Sequence, residues 1–303
     1  RRVVSKTLAA ESGTYQLIDF GDGEKLESFA GRLIRRPSPA AQHDRRRLPA
    51  IWKNADSLFH QRGRRWEHRS EWPKDLRIDC GGFFMPVQPT PFGHVGLFPE
   101  QAENWQWLRQ RGSEVDSPTG PGSPNALNLF GYSGASSIAM ASVGIAVAHV
   151  DAAKANVSVC RAAAGLNGLA DHPIRYLVDD AAKFAAREVR RGNRYQTIIL
   201  DPPAYGHSPT GKTWRLERDL WPLLENCLRL LDPKEHRVLV TGHSPQVGPA
   251  EVIDYLREQT PGILGMSARR LEACCDSGRL VLVDDHARRL DAGFYVRFDG
   301  RSG

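Results

Sequence analysis

From Ala126 onward the chain alternates short apolar runs with helix-length amphipathic ones, and few folds satisfy that pattern. Strands are expected at Ala126–Phe130, Ala146–Val150, Ile174–Val178, Thr197–Leu200 and Arg237–Thr241. Helices are expected between them at Ser133–Val143, Lys154–Leu166, Ala181–Arg191 and Trp214–Leu231. Strand–helix alternation of this kind builds a parallel sheet covered by helices on both faces. Ligands of such sheets bind at the carboxyl ends of the strands. Arg279–Val283 and Gly293–Phe298 read as two further strands joined by a charged turn.

The first 98 residues read differently, as a small β-rich domain. Thr14–Phe20 alternates and runs into Gly-Asp-Gly, a strong turn signal. Leu76–Cys80 and Phe83–Gln88 flank Gly81-Gly82 and suggest a hairpin, with Pro86 at an edge or strand end. The Arg-, Pro- and Trp-rich segment from 37 to 73 gives no secure assignment. Residues 99–125 follow as a helix (Pro99–Arg111, with Pro in its first turn) and a Gly/Pro/Ser-rich linker, Gly112–Asn125. Residues 126–303 form the α/β domain.

Composition excludes several classes. With 41% hydrophobic and 25% charged residues the chain is ordinary globular protein. It has no run of about 18 apolar residues to span a membrane and no secretory h-region at its start. Arg1 leaves open a trimmed N-terminus. Cys80, Cys160, Cys227, Cys274 and Cys275 have no CxxC spacing. Neither a disulfide framework nor a metal site is expected, and the cysteines fit a reducing cytoplasm. The net charge is +6, and ten arginines (32, 35, 36, 45, 46, 47, 62, 64, 65 and 69) fall within 38 residues. A polyanion partner and a solvated surface of scattered ion pairs weigh equally from charge alone.

The chemistry gathers at the strand ends. The first strand leads into Phe130-Gly131-Tyr132-Ser133-Gly134, whose glycines let the backbone turn tightly and a ligand come close. Residue 129 is Leu, so the dinucleotide spacing G-x-G-x-x-G is absent and pyrophosphate is disfavoured. Asp151 ends the second strand, where an acid commonly accepts from a ribose diol. Asp179-Asp180-Ala181 ends the third, where an acid can accept from an adenine amine. The spacing therefore suits a nucleoside without phosphates. Any one of these acids could instead be a helix N-cap. The fourth strand ends in Asp201-Pro202-Pro203-Ala204-Tyr205. Its two prolines stiffen the loop that holds the Asp201 carboxylate, and Tyr205 offers a face for a base.

Leu127–Ser137, His149–Lys154, Leu166–Leu169, Asp179–Ala181 and Asp201–Tyr205 together resemble the class I S-adenosylmethionine (SAM) dependent methyltransferases. Among them they look most like the bacterial large-subunit rRNA enzymes that act on cytosine C5 or guanine. Upstream, Gly96–Gln101 followed by Asn104 resembles that family's G-x-F-x-D-Q-R-x-N-R segment, with Glu100 in place of Asp and Ala102 in place of Arg. The resemblance covers about residues 92–300.

It implies a Rossmann-like seven-stranded sheet ending in an antiparallel hairpin, with an N-terminal β-rich extension that is not an obvious PUA domain. It also implies a cofactor, S-adenosyl-L-methionine, on Phe98, Gln101, Asn128, Phe130, Gly131, Ser133, Gly134, Asp151, Ala152, Asp179, Asp180, Ala181 and Asp201. The acceptor would be positioned by Asp201, Pro202, Pro203 and Tyr205. The partner implied is RNA, rRNA above all, gripped by the basic N-terminal region, with no membrane and no metal. Lys212, Trp214, Arg215 and His243 are candidate substrate contacts. Trp214 could equally pack into the helix that follows, and His243 could be a plain surface residue.

One departure matters. The family's cytosine-C5 enzymes use a cysteine after strand five, and the corresponding Val240–Pro245 holds none. Direct transfer to a nitrogen needs no thiol. The rival readings are a SAM-binding RNA factor without turnover, a protein or small-molecule acceptor, and a nicotinamide oxidoreductase on the same sheet.

Overall fold

A computed structural model describes residues 13–110, 126–207 and 213–301. Two units cluster separately: Arg1–Ala102 with Val281–Asp291, and Glu103–Leu280 with Ala292–Gly303.

In the first unit β1 (Tyr15–Gly21), β2 (Glu24–Phe29), β3 (Arg32–Pro37), β4 (Ser57–His60) and β5 (Arg65–His68) form one sheet in chain order. Every neighbouring pair is antiparallel except β3 with β4. The expected hairpin around Gly81-Gly82 is the separate ladder of β6 (Arg77–Asp79) and β7 (Phe84–Pro86). Strand β3 alternates strictly in burial, but its buried face carries Arg32 and Arg36 beside Ile34. Arg36 grips Glu27 through two bonds, at 2.5 and 3.1 Å, and Lys25 and Tyr15 reach the same carboxylate at 2.9 Å. Burial pushes the Glu27 carboxyl up, but Arg36 and then Lys25 outweigh it and hold it at about 2. A buried ion pair of this kind stands only because both partners are satisfied.

The second unit begins, apart from its first residue, with α1 (Ala102–Arg109) and continues through β8 (Ala126–Leu129), α2 (Ala135–Ala141), β9 (Val147–Asp151) and α3 (Lys154–Leu166). Then come β10 (Ile174–Val178), α4 (Ala181–Arg191), β11 (Thr197–Leu200) and a small ladder of β12 (Tyr205–His207) with β13 (Thr213–Arg215). The last elements are α5 (Leu216–Leu230), β14 (Glu235–Gly242), α6 (Pro249–Leu264), α7 (Ala268–Cys274), β15 (Cys275–Val283) and β16 (Arg289–Arg301). The sheet runs β10-β9-β8-β11-β14-β16-β15. Its first five strands are parallel and β16 runs antiparallel to β14. This is the seven-stranded Rossmann-like sheet that the resemblance implies.

Burial on both faces explains the near-continuous apolar strands. Leu127, Leu129, Ile198, Leu200, Val238 and Val240 face one way, into a core built with Leu220, Leu223 and Leu224 of α5 and Val252 of α6. Ala126, Val147, Ile199 and Leu239 face the other way, against Leu108 of α1 and Met140 of α2. Each fully buried leucine contributes roughly 1.5–3 kcal/mol of transfer free energy. The fifth helix starts at Leu216 and not at Trp214, because 213–215 pair as β13. Helices α6 and α7 carried no expectation. The first of them runs on through Pro261-Gly262, a pair that reads as a stop.

Candidate cofactor and acceptor site

Strand order reverses at β8, whose successor β9 lies on one side while β11 lies on the other. Ligands bind at such a switch point. The loop leaving β8 is tightly drawn. Phe130 and Tyr132 hold left-handed φ angles of 56° and 49°, which costs a non-glycine residue about 1–3 kcal/mol. Gly131 donates to Val150 O at 2.9 Å, and a Cβ there would lie 2.4 Å from the His149 ring. Gly134, at φ +92°, has no room either: its Cβ would meet Cys160 Sγ at 2.2 Å.

Below the loop runs a buried polar chain that sequence reading missed. Asn128 Nδ2 donates to Ser137 Oγ at 2.8 Å, and Ser137 Oγ lies 3.0 Å from His149 Nδ1. Asn128, expected on the cofactor, is thus buried and holds the loop from beneath. Burial lowers the His149 pKa to about 4 against the pull of Asp151, so the ring is neutral at pH 7. Its Nε2 is buried with no hydrogen-bond partner among the described residues. Serine and histidine on regular elements gave no signal that could have marked them.

Among the strand-end acids Asp151 holds this loop. Asp151 Oδ2 accepts from Tyr132 N–H at 2.8 Å; Oδ1 accepts from Ala153 N–H at 2.9 Å and Asn156 Nδ2 at 3.0 Å. A carboxylate has about four acceptor sites, so one remains for a hydroxyl. Asp179 donates its N–H to Asp151 O at 3.0 Å, and its side chain accepts from Asp180 N–H at 2.8 Å and from Arg187. Asp180 caps α4 through Lys183 N–H at 3.0 Å, so for this acid the helix-cap role is real. Ala152 is half-buried, and Ser133 and Ala181 are buried.

The fourth strand end is the most open. Asp201 is exposed and accepts from the buried Thr241 Oγ1 at 2.6 Å. Pro202 is buried while Pro203 is exposed, and Tyr205 is 56% exposed. Trp214 does not stand free as a stacking platform. Its Nε1 donates to Pro203 O at 2.8 Å and its ring packs on Phe130 with centroids 4.9 Å apart, so it ties the glycine loop to the Asp-Pro-Pro loop. The Arg215 backbone N–H donates to Asp219 at 2.8 Å, and its side chain is exposed. His243 is exposed just beyond β14. Lys212 and the linker 112–125 lie outside the described residues. Phe98 and Gln101 belong to the first unit, on a 3-10 turn where Gln101 N–H donates to Phe98 O at 3.1 Å. Beside them burial pushes the Glu100 carboxyl up, and its Oε2 has no hydrogen-bond partner among the described residues.

A glycine cradle that admits no side chain, with carboxylates following at three further strand ends, fits a nucleoside cofactor carrying no phosphate. Among the described residues no group of three His, Cys, Asp or Glu could hold a metal. No helix there is long and apolar enough to cross a membrane.

Sheet order and site together define a class I methyltransferase, and comparison with known proteins agrees. No family profile matches the sequence. The chain is 31% identical to the SAM dependent methyltransferase from Agrobacterium tumefaciens, with a TM-score of 0.84 over 95% of this chain and 91% of that one. A putative SAM-dependent methyltransferase from Streptococcus mutans shares the fold at 17% identity, with a TM-score of 0.69 over 96% of this chain and 76% of that one. Ribosomal RNA large subunit methyltransferase K/L of Pseudoalteromonas atlantica is 29% identical over 177 residues, which is 57% of this chain and 23% of that protein. The chain thus spans about a quarter of the length of that curated relative. It belongs to the SAM-dependent methyltransferases. Its cofactor is S-adenosyl-L-methionine, and the nicotinamide reading falls.

Proposed function

We propose that the chain methylates a base of RNA, with large-subunit rRNA as the substrate class and a ring or exocyclic nitrogen as the acceptor. The observation that carries the reading is the Asp201–Tyr205 loop. A proline-stiffened turn presents the exposed Asp201 carboxylate and the Tyr205 ring, 56% exposed, at the end of the strand beside the glycine cradle. The rRNA methyltransferase K/L relatives support the substrate class.

SAM, when bound, supplies an activated methyl group for in-line displacement, so positioning the acceptor is the main task left to the protein. Tyr205 stacks on the base. Asp201, steadied by Thr241, accepts from its N–H and orients the nitrogen lone pair. Asp151 takes a ribose hydroxyl. The absence of a usable thiol favours nitrogen over C5. Cys227 is buried in the core, and burial pushes its thiol far above neutral pH.

The test is transfer of label from methyl-labelled SAM to total RNA, naked and in ribosomal particles, with Asp201→Ala as control. Label in a modified base of large-subunit rRNA, lost in the variant, is expected. Label found only in protein or a small molecule would end the reading.

A further inference from the structure

The glycine loop leaves β8, and the Asp201–Tyr205 loop leaves its neighbour β11. Phe130 opens the first of these turns at a φ of 56°, and Gly134 N–H closes it on Gly131 O at 2.9 Å. The left-handed well is small for a residue with a side chain, so the Phe130 ring and the turn share one setting.

The second loop runs into a ladder of three pairs only: Tyr205 with Arg215, Gly206 with Trp214 and His207 with Thr213. Two strands alone are marginal in water and need something to pack on. Helix α5 holds β13, through Arg218 to Thr213 O at 2.6 Å and Asp219 to Arg215 N–H at 2.8 Å. The Trp214 side chain faces the two loops instead. Its ring meets Phe130 and its Nε1 donates to Pro203 O. A Cβ on Gly206 would lie 3.5 Å from Pro203 Cγ and 4.0 Å from Trp214 Cβ, so β12 folds back over the same proline. Leu216 N–H shuts the base of the ladder on Ala204 O at 3.0 Å. Tyr205 therefore takes its place from a ladder whose one tryptophan leans on the glycine loop.

We infer that Phe130 and Trp214 couple the two sites: they carry the setting of an occupied glycine loop through the ladder to Tyr205. Trp214 is then a positioning residue. Coupling between two sites is reciprocal, so the acceptor must tighten the cofactor by the factor by which the cofactor tightens the acceptor. The path starts at the nucleoside and does not involve the methyl group, so S-adenosylhomocysteine engages it as SAM does. The inference rests on the reading that the Asp201–Tyr205 loop holds the acceptor, and adds what sets that loop.

The experiment is hydrogen exchange of the full chain, with and without saturating S-adenosylhomocysteine. It is read at the amides of Tyr205–His207 and Thr213–Leu216, none of them an expected cofactor contact. Wild type should exchange there at least fivefold more slowly with the nucleoside bound. Phe130→Leu keeps the hydrogen bond of Trp214 and the ladder but removes its ring partner. It should exchange like wild type when empty and gain no protection from the nucleoside. A role in packing alone would do the reverse, speeding exchange in the empty state and leaving the effect of the nucleoside intact. Calorimetry of S-adenosylhomocysteine with and without large-subunit rRNA should show at least fivefold tightening in wild type and none in Phe130→Leu. No protection in wild type, or equal protection in Phe130→Leu, would overturn the coupling and spare the acceptor reading, which label transfer tests by itself. rRNA that accepts label yet leaves the nucleoside affinity unchanged would overturn it too. Protection without label in any RNA would overturn the acceptor reading and the coupling to it together.

Discussion

At the residue scale the glycine loop is the tightest constraint. Gly134→Ala must drive a methyl into Cys160 Sγ at a left-handed φ. It should lower stability by about 1–3 kcal/mol and weaken S-adenosylhomocysteine binding at least tenfold by calorimetry. Unchanged affinity would mean that the loop does not touch the nucleoside. His149 sets a pH window. Its folded pKa, about 4, lies below the value near 6.5 of an unfolded histidine, so the unfolded state binds more protons between them. The stability it supplies is complete above pH 6.5 and is lost on acidification towards 4. A His149→Gln variant should show a flatter unfolding midpoint across that window, and an equally steep one would clear His149 of the effect. The glycines and acids were legible as sequence because few residue types can do what their positions demand. Thr241 was not: threonine inside a strand reads as β-propensity, and only the fold reveals the carboxylate above it.

At the element scale, α3 and α4 each bury one regular stripe and β11 a full apolar run, so they lie where apolar periodicity puts them; β10, at the sheet edge, lies where expected while burying only Ile174. Strand β3 defeats that rule because its inward positions hold arginines; the Arg36–Glu27 ion pair and the hydrogen bonds of Arg32 to Ser57 and Ser70 replace the missing apolar contacts. Helix α6 defeats another, as its sixteen residues absorb a Pro-Gly pair near the end. The ladder of β12 and β13 matters most for function, since Trp214 at its edge joins both loops of the site. Trp214→Leu removes the hydrogen bond to Pro203 and the ring contact with Phe130. It should raise the KM for SAM several-fold and lower kcat by about tenfold, near 1.4 kcal/mol. A change confined to the RNA KM would return Trp214 to the substrate.

At the scale of the whole molecule, charge misleads when read as a sum. The formal +6 suggests a basic surface, yet Arg32 and Arg36 are buried and Arg35 and Arg46 are paired with Glu24. Removing Arg36 should therefore act on folding and not on polyanion affinity. Arg36→Met strands Glu27, Lys25 and Tyr15 in a half-satisfied cluster and should cost about 3–5 kcal/mol in denaturant titrations. A cost below about 1 kcal/mol would mean that Lys25 alone neutralises the carboxylate. Composition alone could not sort the arginines, because the partners of Arg36 and Arg46 lie 9 and 22 residues away in sequence.

The buried cysteines make the chain its own reporter. Cys80 is buried in the first unit and Cys160 and Cys227 in the second, and burial lifts the Cys80 and Cys160 thiols to about 12 and Cys227 higher still. A timed pulse of alkylating reagent should spare all three in the native protein and mark them only as their surroundings open. Mass spectrometry of the tagged peptides then times each event without any introduced probe. Cys80 tagged apart from Cys160 and Cys227 would give the two units separate lifetimes; tagging all three together would give them one.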